Sequence, residues 1–274
     1  MNITEVIKSV ADMIGDLLVE GTVKPTGWGY TFNSDDFRRF PLANQLKGYC
    51  IYFNNAATLT GQQSYIASHA AGSPTICVVP SLPGQPLEND KFLLLKEFSG
   101  ADYWETLKRA HNRGRDIYLI PFMATISLVA TIWEYAVPSG FKWIDELRIV
   151  PSGHTDYDLD NVLVLHRGDW DIRANAQGTQ VIMFDPRFID LDEYDKEIVY
   201  IIGQRKPKDI AAPVSGSINT PEVPEDFLVY KMAALMSQKK LIKDWNQVQF
   251  LVRESDREES KMFRYPKPTS VRIP

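Results

Sequence analysis

Chemistry-bearing residues are scarce in this chain. Its 274 residues include two cysteines, Cys50 and Cys77, and four histidines. Two cysteines are too few for a disulfide framework or a cysteine-based zinc site. Each lies in an apolar, strand-like run, Tyr49-Cys50-Ile51-Tyr52-Phe53 and Thr75-Ile76-Cys77-Val78-Val79. Both therefore read as buried small hydrophobes, and assembly in a reducing cytoplasm fits. Long apolar runs are missing too. A membrane-spanning helix needs roughly 18 uninterrupted apolar residues, whereas the longest candidate, residues 117–137, is broken by Pro121, Thr125, Ser127, Thr131 and Glu134. No basic stretch precedes a continuous apolar core at the N-terminus, so neither a signal peptide nor a membrane partner is expected. Nor is there an excess of positive charge: 30 Lys and Arg face 35 Asp and Glu, a net of −5. A dedicated nucleic-acid binder depends on clustered cations and is not expected. An acidic wall that repels passing DNA is compatible with these numbers.

Catalytic patterns are equally sparse. The chain has no Gly-x-Ser-x-Gly elbow, no phosphate-binding Gly-x-x-x-x-Gly-Lys-Ser/Thr loop, and no Gly-x-Gly-x-x-Gly after a strand. His69, His111, His154 and His166 have no evident nucleophile or carboxylate partner in sequence. The best metal candidate is Asp156, Asp158 and Asp160, whose alternating carboxylates copy the first half of a calcium-binding loop. The glycine and the terminal glutamate of such a loop are missing, so a polar hairpin is the plainer reading. Asp185, Asp190, Asp192 and Asp195 read as an acidic surface loop rather than a glycosidase pair. Asp169-Trp170-Asp171 with Arg173 admits a carbohydrate contact, although a core tryptophan flanked by charges is the simpler expectation. No cofactor and no enzymatic activity are expected.

What is present is patterning. Ile3, Val6, Ile7, Val10, Met13, Ile14, Leu17 and Leu18 recur at helical spacing, which predicts an amphipathic helix over residues 3–18. Asn2 and Glu5 supply its capping box, and Gly21 its stop. Residues 22–98 read as a first β-domain, with runs at 49–53, 75–79 and 91–95 separated by turn residues. Ser99, with Asp102 as capping partner, opens a connecting helix over 99–115 that Gly114 is expected to stop. Residues 116–213 read as a second, sandwich-like β-domain. Its strand candidates are 117–120, 126–135, 142–150, 161–166, 170–174, 180–184 and 197–203. A Pro/Ser/Gly-rich linker leads to a helical region over 214–260, and residues 261–274 form a basic, proline-rich tail. The expected class is thus mainly β within α+β: two small β-sandwich or barrel-like domains with N-terminal, central and C-terminal helices.

The order of these elements over about residues 45–240 carries a resemblance. Gln63-Ser64-Tyr65-Ile66-Ala67-Ser68-His69 is followed by Gly72-Ser73-Pro74-Thr75-Ile76-Cys77-Val78-Val79-Pro80 and Asn89-Asp90-Lys91-Phe92. The helix Tyr103-Trp104-Glu105-Thr106-Leu107 comes next, then Tyr118-Leu119-Ile120-Pro121, Val137-Pro138-Ser139-Gly140, Asp169-Trp170-Asp171-Ile172-Arg173 and Pro224-Glu225-Asp226-Phe227-Leu228. In this order the chain resembles the tailed-phage head–tail connector or neck proteins, the adaptor and tail-completion group. The resemblance implies a structural virion protein in the neck or tail. It implies a homo-oligomeric ring, twelvefold or sixfold, that contacts the portal protein and other neck or tail proteins, with DNA only as passing cargo. It brings no catalytic residues. Ring contacts are expected at the chain ends: Val6, Val10, Met13 and Leu17 on the first helix, and Phe263, Tyr265 and Pro266 in the tail. Deleting 261–274 is expected to weaken assembly and leave the monomer folded. The alternative reading is a carbohydrate-binding or tail-fibre-like β-sandwich module, prompted by six tryptophans and twelve tyrosines.

Overall fold

The computed structural model describes residues 1–24, 30–151, 162–211, 220–241, 243–262 and 271–273. These fold as mainly β within α+β, with fourteen strands, all paired antiparallel, and four α-helices among the described residues. The chain divides into two compact units. The first contains residues 1–116 and 208–262, the second 117–207 and 263–274. The helices before, between and after the β-segments thus share the first unit with the first sheet, rather than standing as separate regions.

In the first unit, helix α1 (Ile3–Met13) starts on the expected capping box: Glu5 N–H donates to the Asn2 side chain while Asn2 N–H donates to the Glu5 carboxylate. It ends earlier than the apolar spacing predicts. Gly15, at φ +70°, turns the chain, and Leu17 and Leu18 enter strand β1 (Leu17–Thr22) instead of a further helical turn. Gly21 therefore has a different role. A Cβ there would lie 2.3 Å from Phe92 Cζ, so the missing side chain makes room for a core ring.

The remaining strands of this unit are β2 (Thr31–Asn33), β3 (Cys50–Asn55), β4 (Gln63–His69), β5 (Thr75–Val79) and β6 (Lys91–Leu95), ordered β1-β6-β3-β4-β5-β2. The two edge strands come back together where Lys24 N–H donates to Asn33 O at 2.8 Å, which makes the sheet barrel-like. Inside, Phe32 meets Phe37, Phe53 and Phe92 with ring centroids 5.6–5.8 Å apart. Tilted and edge-on pairs of this kind add to the burial of large apolar area.

Helix α2 (Gly100–Ile117) is capped as expected, with Ser99 N–H donating to Asp102 and Asp102 N–H to Ser99 Oγ. It runs through Gly114 rather than stopping there. A Cβ on Gly114 would fall 2.6 Å from Val223 Cγ1, so this glycine lets two segments approach closely. Helices α3 (Glu225–Lys239) and α4 (Trp245–Met262) complete the unit. Glu259 accepts from both Arg113 and Lys231 and so ties α2, α3 and α4 together. Lys240 Nζ and Gln247 Nε2 donate to Ile14 O and Met13 O, satisfying carbonyls at the end of α1.

The second unit has two sheets. One runs β10-β9-β13-β7, built from β7 (Ile120–Ser127), β9 (Phe141–Val150), β10 (Leu163–Leu165) and β13 (Ile198–Arg205). Strand β14 (Val271–Arg272) pairs with β9 as well. The other sheet runs β11-β12-β8, from β8 (Glu134–Ala136), β11 (Trp170–Ala174) and β12 (Gln180–Phe184). Their inner faces share one core: Ile144, Leu147, Val199 and Ile201 from the first sheet meet Trp170, Ile182 and Phe184 from the second. Two antiparallel sheets over a common core make a sandwich. The expected strand over 126–135 is two strands, because β7 ends at Ser127 and the chain turns before β8, with Leu128 N–H donating to Glu197 O.

Candidate assembly surfaces

The residues expected to carry ring contacts are placed differently from one another. Val6 and Val10 are 1% and 0% exposed, inside the first unit. The apolar stripe of α1 lies against α3, β3 and β1, so the chain itself covers it, and these two valines are not free for a neighbour. Met13 and Leu17 are half-buried. Phe263, Tyr265 and Pro266 lie outside the described residues, as do His154 and the calcium-loop candidates Asp156, Asp158 and Asp160.

Apart from His111, the remaining candidates have structural partners. His69 is buried and its ring contacts Ser73 O at 3.2 Å, while its N–H donates to Asn44. His166 N–H donates to Asp169 in a turn. Asp190 accepts from Asp192 N–H, Asp195 accepts from Ala130 N–H, and Asp185 is held by Arg187. That ion pair brings the Asp185 carboxyl down to about 2, with the Arg187 hydrogen bond as the leading cause. These acids cap turns. Cys50 is buried and desolvation pushes its thiol up to about 11, so it stays protonated, whereas Cys77 is half-buried.

Trp170 is a core residue at 3% exposure, and the Arg167 guanidinium lies 4.1 Å from its ring centroid. A shallow cleft of about 320 Å³ beside it is lined by Arg167, Asp171, Arg173, Met183 and Asp185. Sugar recognition uses an open aromatic face. At Trp170 the core buries the ring and an arginine stacks on it, as the simpler expectation of a core tryptophan flanked by charges has it, and the alternative carbohydrate contact lacks its platform.

Large apolar side chains do stand in water elsewhere, at positions that periodicity alone does not single out. In the first unit, Leu241 is 91% exposed, Trp245 63% and Phe250 55%. Val248, Leu251, Ser255, Glu258 and Met262 form the buried side of α4. Helical geometry therefore puts Trp245 and Phe250 on its outward half. The Lys243 ammonium approaches the Trp245 ring at 5.7 Å, which leaves most of that side chain open.

In the second unit, the four-stranded sheet has an edge at β7. This strand, Ile120-Pro121-Phe122-Met123-Ala124-Thr125-Ile126-Ser127, has no charged residue, and its exposure alternates along its eight positions. It pairs with β13 on one side only, among the described residues. Natural edge strands are commonly protected by charges, prolines, bulges or brevity, and of these β7 has only Pro121, near its start. The opposite edge is composite. β10 covers β9 at positions 147–149. β14 covers it at 143–144, and Ile273 N–H donates to Lys142 O at 2.8 Å. Ile273, at 9% exposure, is part of the core. The end of the basic tail is thus built into the second unit.

No protein-family model matches the chain, and no curated protein matches it. Among the described residues no helix is long and apolar enough to cross a membrane.

Proposed function

We propose that this chain is a structural, non-catalytic subunit of a tailed-phage virion that forms a homo-oligomeric ring in the neck, between portal and tail, with DNA passing through it. The observation that carries this reading is the exposure of three large apolar side chains around the start of α4, Leu241, Trp245 and Phe250, within ten residues of chain. Tryptophan is enriched among the residues that dominate binding energy at interfaces. The order of elements, helices bound to a barrel-like sheet and followed by a β-sandwich, supports the same reading. The net charge of −5 suits a subunit that lets DNA pass without holding it.

Native mass spectrometry over a concentration series, with and without purified portal protein, tests the proposal. A closed ring in either condition supports it. A monomer at every concentration that ignores portal removes it. Trp245→Ala is expected to leave the fold intact, because the side chain is mostly exposed, and to cut ring yield at least tenfold. Unchanged yield would take the α4 surface out of the interface.

A further inference from the structure

From the two edges of the second unit's main sheet we infer that neighbouring copies join head to tail through this sheet, β7 of one copy pairing with the β10–β14 edge of the next. The inference rests on the ring reading and names the seam.

Direction and charge both fit. The strands run β10-β9-β13-β7 with every neighbour antiparallel. Because the path has four strands, its two edge strands point in opposite directions. A copy placed beside β7 with its β10 edge inward therefore continues the antiparallel alternation. β7 has eight residues, and the composite edge presents six among the described residues, Leu163–Leu165 against β9 positions 147–149 and residues 271–273 against 142–144. β7 carries no charge and β10 is Leu163-Val164-Leu165, so Arg272 is the one charged side chain on the facing strands and meets no like charge.

The backbone of β7 is also set for pairing. Leu128 N–H, just past β7, donates toward β13's side, to Glu197 O. Alternation then turns the even-numbered residues toward β13 and directs the N–H and C=O groups of Met123, Thr125 and Ser127 to the open edge. Pro121 has the same parity, so its missing N–H leaves the internal ladder complete and limits outward donors to Met123, Thr125 and Ser127. The side chains of these odd residues are exposed, and Val164 on β10 is 43% exposed.

The size of the seam explains why the product is a ring. Six residues span about 20 Å, and a sheet about 10 Å thick gives a contact of roughly 200 Å² per copy. A stable interface buries about 800 Å² per partner. One seam alone therefore holds a dimer poorly, whereas ring closure gives every copy two seams and one more contact than an open row.

The test uses the full-length chain with Cys50→Ala and Cys77→Ala as background. Thr125→Cys and Val164→Cys are introduced singly and together, then mildly oxidised at high protein concentration. Within one copy the two positions are separated by β13 and β9, about 14 Å, beyond disulfide reach. Any bond therefore joins two copies. The double variant is expected to give a ladder of covalent dimers, trimers and higher species, and the single variants none. Thr125→Pro is expected to cut ring yield at least tenfold with the monomer folded, whereas Ala124→Pro breaks the bond to β13 and unfolds the second unit. Dimers from Thr125→Cys alone would mean a two-fold β7–β7 contact and overturn the head-to-tail seam. Rings by native mass spectrometry with no ladder and with full yield for Thr125→Pro would overturn the seam but keep the ring. Monomers throughout, with and without purified portal, and no ladder would overturn both.

Discussion

Asp16 is the most heavily bonded buried acid in the first unit, and removing it should have a large, calculable effect. It is 1% exposed. Its Oδ1 accepts from Glu97 N–H at 2.7 Å and Lys96 N–H at 3.1 Å, and its Oδ2 accepts from Tyr103 Oη at 2.8 Å. These bonds fasten the turn after α1 to the junction between β6 and α2. Asp16→Ala leaves the buried Tyr103 hydroxyl and the part-buried Glu97 N–H without acceptors, while Lys96 N–H keeps Asp16 O at 3.0 Å. At about 1–3 kcal/mol for each orphaned group, and with some return from no longer burying a carboxylate, the expected loss is about 3 kcal/mol. Asp16→Asn keeps an acceptor for Glu97 N–H, and the tyrosine hydroxyl can turn to accept from the new amide, so its loss should be about 1 kcal/mol. Acid response separates the two variants further. Burial raises the Asp16 carboxyl above 3.8, ahead of the lowering by its hydrogen bonds. The folded chain therefore holds this proton at pH values where the unfolded chain has released it. The Asp16 contribution should grow as pH falls from the folded value toward 3.8, and Asp16→Asn should abolish that growth. Urea unfolding read by hydrogen exchange of residues 3–22 and 91–107 isolates this unit. An Asp16→Ala variant within 0.5 kcal/mol of wild type, a difference typical of a neutral surface change, would refute the reasoning.

His111 is 0% exposed and neither ring nitrogen has a hydrogen-bond partner among the described residues. Burial, then Arg115, holds its protonation below 6.5 against the opposing Asp209 and Glu222. The unfolded chain takes up a proton first as pH drops through 6.5, so thermal stability should fall from pH 7.5 to 5.5. His111→Leu should flatten that slope and add about 1 kcal/mol at neutral pH, and a slope unchanged in this variant would contradict the assignment. Gly114→Ala gains about 1 kcal/mol of helix propensity but drives a methyl to 2.6 Å from Val223 and 3.1 Å from Phe227. Net destabilisation by about 1–2 kcal/mol is expected, and a higher melting temperature would show that the contact yields freely. Deleting residues 271–274 removes Ile273 from its core and the β14 pairing from β9. It should lower the stability of the second unit by about 2–3 kcal/mol and leave the first unchanged by hydrogen exchange.

Local chemistry was readable in the sequence wherever a few neighbouring residues decide the outcome. Asn2 with Glu5, and Ser99 with Asp102, mark helix starts because capping is satisfied within one turn. Strands β5, β6, β11 and β12 match their expected ranges because β-branched and aromatic runs there end at turn residues. Ranges failed where a distant partner overrides local preference. Leu17 and Leu18 fit the helical stripe, yet pairing with β6 draws them into a sheet. Gly114 looks like a helix stop until Val223 and Phe227 are seen against it. The candidate surfaces were less legible still. Val6 and Val10 carry the same apolar signal whether the covering partner is α3 or another subunit, since burial leaves no trace of whose surface supplies it.

That ambiguity clarifies where assembly information resides. A periodic apolar stripe is what folding itself requires, so the α1 stripe is covered by its own chain. Residues kept for a partner have to be apolar or unpaired in the finished fold. Trp245 and Phe250 meet that condition on the half of α4 that turns away from its buried stripe. β7 meets it differently, as a strand whose inner face is needed by the sandwich and whose outer backbone groups are not paired within the chain, among the described residues. A charge at Met123 or Thr125 would protect that edge with little effect on the core, because both side chains already face water. An uncharged open edge invites aggregation unless a specific neighbour is supplied, and under the proposed seam that neighbour is the composite edge of another copy.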